Sequence, residues 1–188
     1  EVYKHILFDG AEYTSLASLP DMVERTLVID SLSKTYAMTG WRVGFAAGPA
    51  EVISQMTKLQ ENTSACASTP CQYAAIEALN GPQTHLAHMR EQYRIRRDYV
   101  MNRIVSIPGL SCSKPQGTFY AFLDIRQSGL DSETFAMRLL EEEQVVVVPG
   151  TAFGEFGEGY IRLSYAASME SLEQGFDRIA AFMGRCHG

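Results

Sequence analysis

Two short, unbroken apolar runs near the start of the chain set the first structural expectation. Thr26–Asp30 (TLVID) ends in the small polar stretch Ser31–Lys34, and Arg42–Gly48 (RVGFAAG) is the second run. Continuous runs of this kind suit strands buried on both faces, as in the parallel or mixed sheet of an α/β domain. Pro49 and Ala50 then open a helical stretch through about Gln60, with the proline suited to a first turn. A second helix is predicted from Pro70 to Leu79, stopped by Asn80-Gly81-Pro82. From His85 to Ile107, Leu86, Met89, Tyr93, Val100, Met101 and Ile104 fall mostly at helical spacing, which predicts the longest helix, ended by Pro108-Gly109.

Beyond that point the pattern changes. Gly117–Ile125 reads as a strand, Ser132–Glu143 as a helix, Val145–Val148 as a strand, Tyr160–Ala166 as a strand, and Met169 to about Met183 as a final helix. A boundary is placed near residues 106–112. Residues 1–50 then belong to the end of a large α/β domain, 51–107 to connecting helices, and 108–188 to a small α+β domain. Within Tyr160–Ala166, alternation sends Tyr160, Arg162 and Ser164 to one face and Ile161, Leu163 and Tyr165 to the other.

Composition narrows the function classes. Of 188 residues, 46% are hydrophobic and 20% charged, both ordinary for a globular protein. The formal charge of -6 gives no nucleic-acid footprint. Arg94, Arg96 and Arg97 lie in the long helical pattern and read as a solvated face rather than an anion patch. His85 and His88, three apart, read as surface helix residues. Cys66, Cys71, Cys112 and Cys186 show neither a CxxC pair nor metal-ligand spacing, so no metal site is expected. With no disulfide framework and no signal peptide, the expected compartment is the cytoplasm. The longest uncharged stretch, Asn62–Ile76, is too short and polar to span a bilayer, and no membrane association is expected. The chain opens at Glu1-Val2-Tyr3-Lys4 in a strand-like context without an initiator Met, which reads as a piece of a longer protein.

The chemistry concentrates in Ser31-Leu-Ser-Lys34-Thr-Tyr-Ala-Met-Thr-Gly40-Trp-Arg42-Val-Gly44. A lysine in a loop after a buried strand must be paired or have its charge suppressed. Desolvation and neighbouring positive charge free an amine for Schiff-base chemistry. Arg42, eight residues on, offers that charge and a planar fork suited to a phosphate. Ser31 and Ser33 add hydroxyls on either side, and Gly40 and Gly44 permit close backbone approach. Amine, guanidinium, hydroxyls and glycines together suit an aldehyde cofactor with a phosphate tail.

The same segment resembles the cofactor-lysine signature of class I/II (fold-type I) pyridoxal-phosphate-dependent aminotransferases at every specified position: Ser31, Ser33, Lys34, Ala37, Met38, Gly40, Arg42, Val43 and Gly44. Glu1-Val-Tyr3 followed by Asp9-Gly10 is similar to the family's Asp-Glu-x-Tyr strand end. Pro115–Phe122 resembles the opening strand of its small domain, and Val148–Gly154 resembles the loop bordering the substrate pocket. Ile161-Arg162-Leu-Ser resembles its carboxylate-binding segment. The likeness covers essentially the whole chain, aspartate-aminotransferase-like in character, and implies the C-terminal part of that fold: the end of a large mixed or parallel-sheet domain, a long connecting helix and a small α+β domain.

The resemblance also implies roles. Lys34 would carry pyridoxal 5'-phosphate as a Schiff base and serve as general base and acid. Arg42, Ser31 and Ser33 would hold the phosphate region, Tyr3 the cofactor's phenolic oxygen, and Arg162 the substrate α-carboxylate. The substrates would be an L-amino acid, aspartate first, and a 2-oxo acid, and the whole protein would be a homodimer. An aspartate just ahead of Glu1, a ring-stacking aromatic and a Gly-rich helix start are expected elsewhere, so these residues alone are not expected to transaminate. Two rivals share the scaffold: a carbon–sulfur β-lyase, and a ligand-sensing domain of a transcriptional regulator.

Overall fold

In the computed structural model, which describes residues 1–186, the two apolar runs become strands β1 (Val28–Ser31) and β2 (Gly44–Ala47). They pair with each other, antiparallel, in the register Val28↔Ala47 to Ser31↔Gly44. The expected burial on both faces is not present in this pair: Ile29 is 61% exposed and Phe45 43%. A two-stranded ribbon has no flanking strand of its own to close over it.

β1 and β2 belong to the first of two compact units, Glu1–Arg90. Its opening residues are not a strand. Lys4 N–H bonds the Glu1 carbonyl at 3.0 Å and Ile6 N–H the Tyr3 carbonyl at 2.9 Å, so successive turns use the groups that a ladder would need. Lys34, expected in a loop, sits instead in a one-turn helix, α1 (Leu32–Thr35), because the Ser31 side chain caps it by accepting the Ser33 N–H. Helices α2 (Ala50–Thr63) and α3 (Thr69–Asn80) follow. Pro49 stands at the N-cap of α2, one residue before the first turn. Pro70 lies in the first turn of α3, and Gly81 ends it by donating its N–H to Glu77 O at 2.7 Å. Leu32, Met38 and Val43 form a small core, with Tyr36, Cys71 and alanines of α3 packed on it.

The division between units falls inside α4 (Thr84–Ser106), and the second unit is Glu91–Gly188. The sequence boundary near 106–112 coincides with the C-terminal end of this helix. One expectation on α4 is overturned. Arg97 is fully buried, not part of a solvated face. Its Nε and Nη2 donate to Asp98 Oδ1 at 3.0 and 2.8 Å, and Nη1 donates to the Pro115 carbonyl at 3.1 Å. Arg94 is engaged with Glu91 and Asp98 on the outer side. His85 and His88 are exposed, as expected.

The second unit is built on a four-stranded antiparallel sheet in the order β3 (Ser111–Cys112), β4 (Tyr120–Asp124), β6 (Tyr160–Ser164), β5 (Val148–Pro149). β4 is shorter than the apolar pattern suggests because Thr118 adopts φ +66°, which breaks the extended run. Helix α5 (Ser132–Glu143) begins and ends where its sequence predicts: Asp131 caps it by accepting the Thr134 N–H at 2.8 Å. At its other end Gln144 turns left-handed, and Val145 N–H returns to Leu139 O at 3.3 Å. That capping bond uses Val145, so β5 starts three residues later than expected. Helix α6 (Met169–Cys186) carries a strong apolar stripe of Leu172, Phe176, Ile179, Phe182 and Met183, all buried. With Leu123, Ile125, Phe135, Leu139 and Ile161 these residues make the core, each fully buried one contributing about 1.5–3 kcal/mol.

Candidate cofactor and carboxylate sites

Ser31 organises the segment that holds Lys34. Its Oγ accepts the Ser33 N–H at 3.1 Å, lies 2.8 Å from Ser33 Oγ, and lies 3.2 Å from the Val43 carbonyl. The last contact follows from the β1–β2 register, which sets Ser31 opposite Gly44. A Cβ on Gly44 would meet the Asp30 carbonyl at 2.7 Å, so only glycine lets the two strands approach this closely. Gly40 has no such neighbour, and its expected close approach is not found. Ser31 and Ser33 are thus brought together at the head of the Lys34 turn, with the Arg42–Gly44 stretch alongside.

Arg42 reaches this place through an uncommon backbone. It follows the short 3-10 turn Thr39–Trp41 with φ +52°, and Ala37 has φ +53°. Left-handed conformations at non-glycine residues cost about 1–2 kcal/mol each and concentrate where geometry serves a ligand. Arg42 is exposed, and its Nη1 donates to the Thr39 carbonyl at 2.9 Å, leaving further guanidinium donors for an anion. Arg42, Val43 and Gly44 also border an open cavity of about 1080 Å³ lined by α2 and the start of α3.

Tyr3 is half-buried in a turn rather than on a strand. Two contacts connect this turn to β1: the Glu1 nitrogen donates to the Ile29 carbonyl at 2.8 Å, and Lys4 Nζ lies 2.6 Å from Asp30 Oδ2. The Asp30 carboxylate holds the Lys4 ammonium above the ordinary lysine range, against a smaller opposing effect of burial. Neither Lys4 nor Asp30 was singled out from sequence, although a carboxylate ending an apolar run four residues before Lys34 was visible.

Arg162, in the second unit, lies on β6 with Phe122 of β4 directly opposite. The alternation is as expected: Ile161, Leu163 and Tyr165 are buried while Tyr160, Arg162 and Ser164 face outward. The guanidinium carbon stands 4.3 Å from the Tyr120 ring centroid and 4.5 Å from that of Phe153. Cation–π contact with two rings holds this charge in place without neutralising it. Among the described residues no carboxylate is within ion-pairing distance of it. Tyr120 and Phe153 were read from sequence only as strand and loop aromatics; their shared role around Arg162 depends on the β4–β6 register and on the loop after β5. That loop is tied down by the buried Ser132, whose Oγ accepts the N–H groups of Gly159 and Tyr160 at 2.9 and 3.2 Å. It is also drawn in where Gly150 and Gly157 cross, since a Cβ on Gly150 would lie 2.0 Å from the Gly157 carbonyl.

The chain belongs to the aminotransferase class I and II family, whose model matches residues 1–179. It is 45% identical over 181 residues to an aspartate aminotransferase of Pyrococcus abyssi, covering 95% of this chain and 46% of that one. It is likewise 45% identical to an aromatic-amino-acid aminotransferase of Thermococcus litoralis, with the same coverage. Among solved structures it is similar to an aromatic aminotransferase of Pyrococcus horikoshii, with a TM-score of 0.95 and 44% identity over 98% of this chain and 49% of that one. An aspartate aminotransferase of Rhizobium meliloti gives a TM-score of 0.93 at 39% identity, covering 98% of this chain and 48% of that one. The fold is therefore the C-terminal part of this family's mixed α/β fold, and the chain spans about half the length of the curated relatives it matches.

The cofactor of this family is pyridoxal 5'-phosphate. The residues present fit it: two hydroxyls 2.8 Å apart, a lysine on the turn that Ser31 caps, and a guanidinium with further donors beside the strand pair. No helix among the described residues is long and apolar enough to cross a membrane.

Proposed function

We propose that this chain supplies the lysine-bearing part of an enzyme that transfers an amino group between an L-amino acid, aspartate among them, and a 2-oxo acid, acting in the cytoplasm as a homodimer. The observation that carries this reading is the Ser31-capped turn holding Lys34 with Arg42 and Gly44 alongside, in a chain of this family. Aspartate as a donor is supported by the aspartate aminotransferases to which the chain is similar.

In this reading Ser31, Ser33 and Arg42 hold the phosphate, Tyr3 faces the phenolic oxygen, and Lys34 is the covalent anchor. The bound cofactor supplies an aldehyde and an electron sink. The Lys34 amine, when free, would be the base and acid that moves the proton held at the substrate Cα. Arg162 receives the substrate carboxylate, because its charge is fixed by two rings and matched by no protein carboxylate among the described residues.

A panel of amino donors and 2-oxo acids offered to the complete protein, with Lys34→Ala as control, tests this. Oxo-acid-dependent transfer, lost in the variant, is the expected result. Release of pyruvate and ammonia from a thioether amino acid, without transfer, would replace it by the lyase reading.

A further inference from the structure

The turn that bears Lys34 is held from behind by an ion pair that the reaction just described does not use. Asp30 is the third residue of β1 and only 7% exposed. Its two carboxylate oxygens have different partners. Oδ1 accepts the Ser31 N–H at 2.7 Å, and Oδ2 meets Lys4 Nζ at 2.6 Å. Ser31 is the cap of the Lys34 turn, and Lys4 directly follows Tyr3. One buried carboxylate therefore joins the backbone that launches the lysine to the turn that carries the tyrosine.

The turn is also tied to β1 at Glu1, whose backbone nitrogen donates to the Ile29 carbonyl at 2.8 Å, one residue before Asp30. It has no ladder partner, being closed by its own bonds from Lys4 N–H to Glu1 and from Ile6 N–H to Tyr3. Lys4 also reaches Glu1 at 3.4 Å, and Glu1 in turn accepts the Ser15 hydroxyl. Exposed pairs of this kind contribute little, but removing one partner of a pair with a carboxylate as buried as Asp30 leaves the other without its counter-charge. The other titratable groups around the pair are Glu1, His5 and Tyr13.

We propose that Lys4 and Asp30 are a positioning pair, which fixes the Tyr3 turn against the Ser31-capped turn of Lys34 and so sets the surroundings in which the bound cofactor holds its proton. This rests on the assignment of Lys34 and Tyr3 to the cofactor. Lys4 itself remains an ammonium through neutral pH, so the pair acts as a fixed strut rather than as a proton donor.

The test uses the complete protein carrying pyridoxal 5'-phosphate, with Lys4→Met, Asp30→Asn, the double variant and Lys4→Arg. Three quantities are followed: the pH midpoint of the bound cofactor's absorbance change, cofactor retention on dialysis, and thermal unfolding without cofactor. Either single variant, and the double variant, should move the midpoint by about half a pH unit or more. Lys4→Arg, which keeps the charge, should restore it. The double variant leaves no lone buried charge, so it remains informative if a single variant fails to fold. A midpoint unmoved in the double variant, with only the unfolding temperature lowered, overturns the proposal and leaves the pair a structural one. Reduction with borohydride reports separately on the underlying reading: a pyridoxyl label on another lysine would remove Lys34 from the site whatever the midpoints show.

Discussion

In the unit from Glu91 onward, α5 and α6 bury Phe135, Leu139, Phe176, Ile179 and Phe182, while in Glu1–Arg90 neither α2 nor α3 buries a single residue completely. Leu59, Ile76 and Leu79 stay exposed there, as do Ile29 and Phe45 on the strands. The second unit thus closes its own core, with a four-stranded sheet and Phe135 set edge-on to Phe182 at 5.1 Å. The first buries fewer apolar side chains, Leu32, Met38 and Val43 in one cluster with Ile6 and Phe8 also buried, and spends its specific geometry on the segment from Asp30 to Gly44. Amphipathic helices with open apolar faces mark surfaces whose covering layer their own unit does not provide. The second unit invests in a closed core, the first in the local geometry around Ser31 and Gly44.

That contrast can be broken in several ways. The largest effect is expected at Lys34: in the complete protein, Lys34→Ala should lower the rate of amino transfer by more than about 10²–10⁴-fold, because anchor and base are lost together. Steady-state assays check this, and the unfolding midpoint should hardly move. Phe176→Ala should do the converse, destabilising by about 3–5 kcal/mol in denaturant. Leu59→Ala, on α2, should stay within about 0.5 kcal/mol when these 188 residues are unfolded by themselves, with that face uncovered. Equal losses at these two positions would show that the units are not built differently. A smaller effect is expected from Ser132→Ala, which removes the hydroxyl acceptor of the Tyr160 N–H and leaves Gly159 N–H to Glu158 Oε1 alone, and should cost about 1–3 kcal/mol.

The smallest effect is a pH dependence. The pKa of Lys4 is raised by Asp30 in the folded state, so the pair's stabilisation is complete below the ordinary lysine pKa. It is lost as pH climbs through the higher folded value. Unfolding temperatures measured across the alkaline range should converge for the wild type and the double variant of Lys4 and Asp30; parallel curves would discard the pair as a contributor.

Local signals carried much of this fold. Asp131 at a cap and Gln144 at a left-handed end delimit α5, and both are side-chain or backbone effects within a few residues. The strands were less legible because tertiary events trimmed them. Thr118 turns left-handed before β4, and the helix-ending bond of Val145 delays β5. Arg97 was misjudged because a charged residue on a helical pattern reads as solvated, whereas it reaches the Pro115 carbonyl, eighteen residues away. Ser31, Ser33, Lys34 and Arg42 stand out in the sequence by their chemistry and by the resemblance, and Arg162 by strand alternation and a separate segment; the geometry adds why Gly44 must be glycine and how Ser31 caps the turn. Lys4, Asp30 and the rings of Tyr120 and Phe153 were missed, since each matters through a partner distant in sequence.

The crossing of Gly150 over Gly157 has a bearing on how such a scaffold could diversify. Neither position can accept any side chain, and Ser132 fastens the far side of the loop, so its two ends are immobile by construction. The stretch between them is free of that restriction. Phe153 stands against Arg162, and Phe156 is 91% exposed. Mutational libraries confined to 151–153 and 155–156 should therefore retune what lies beside the guanidinium while the anchor points stay put, whereas a single change at either glycine would undo the loop as a whole.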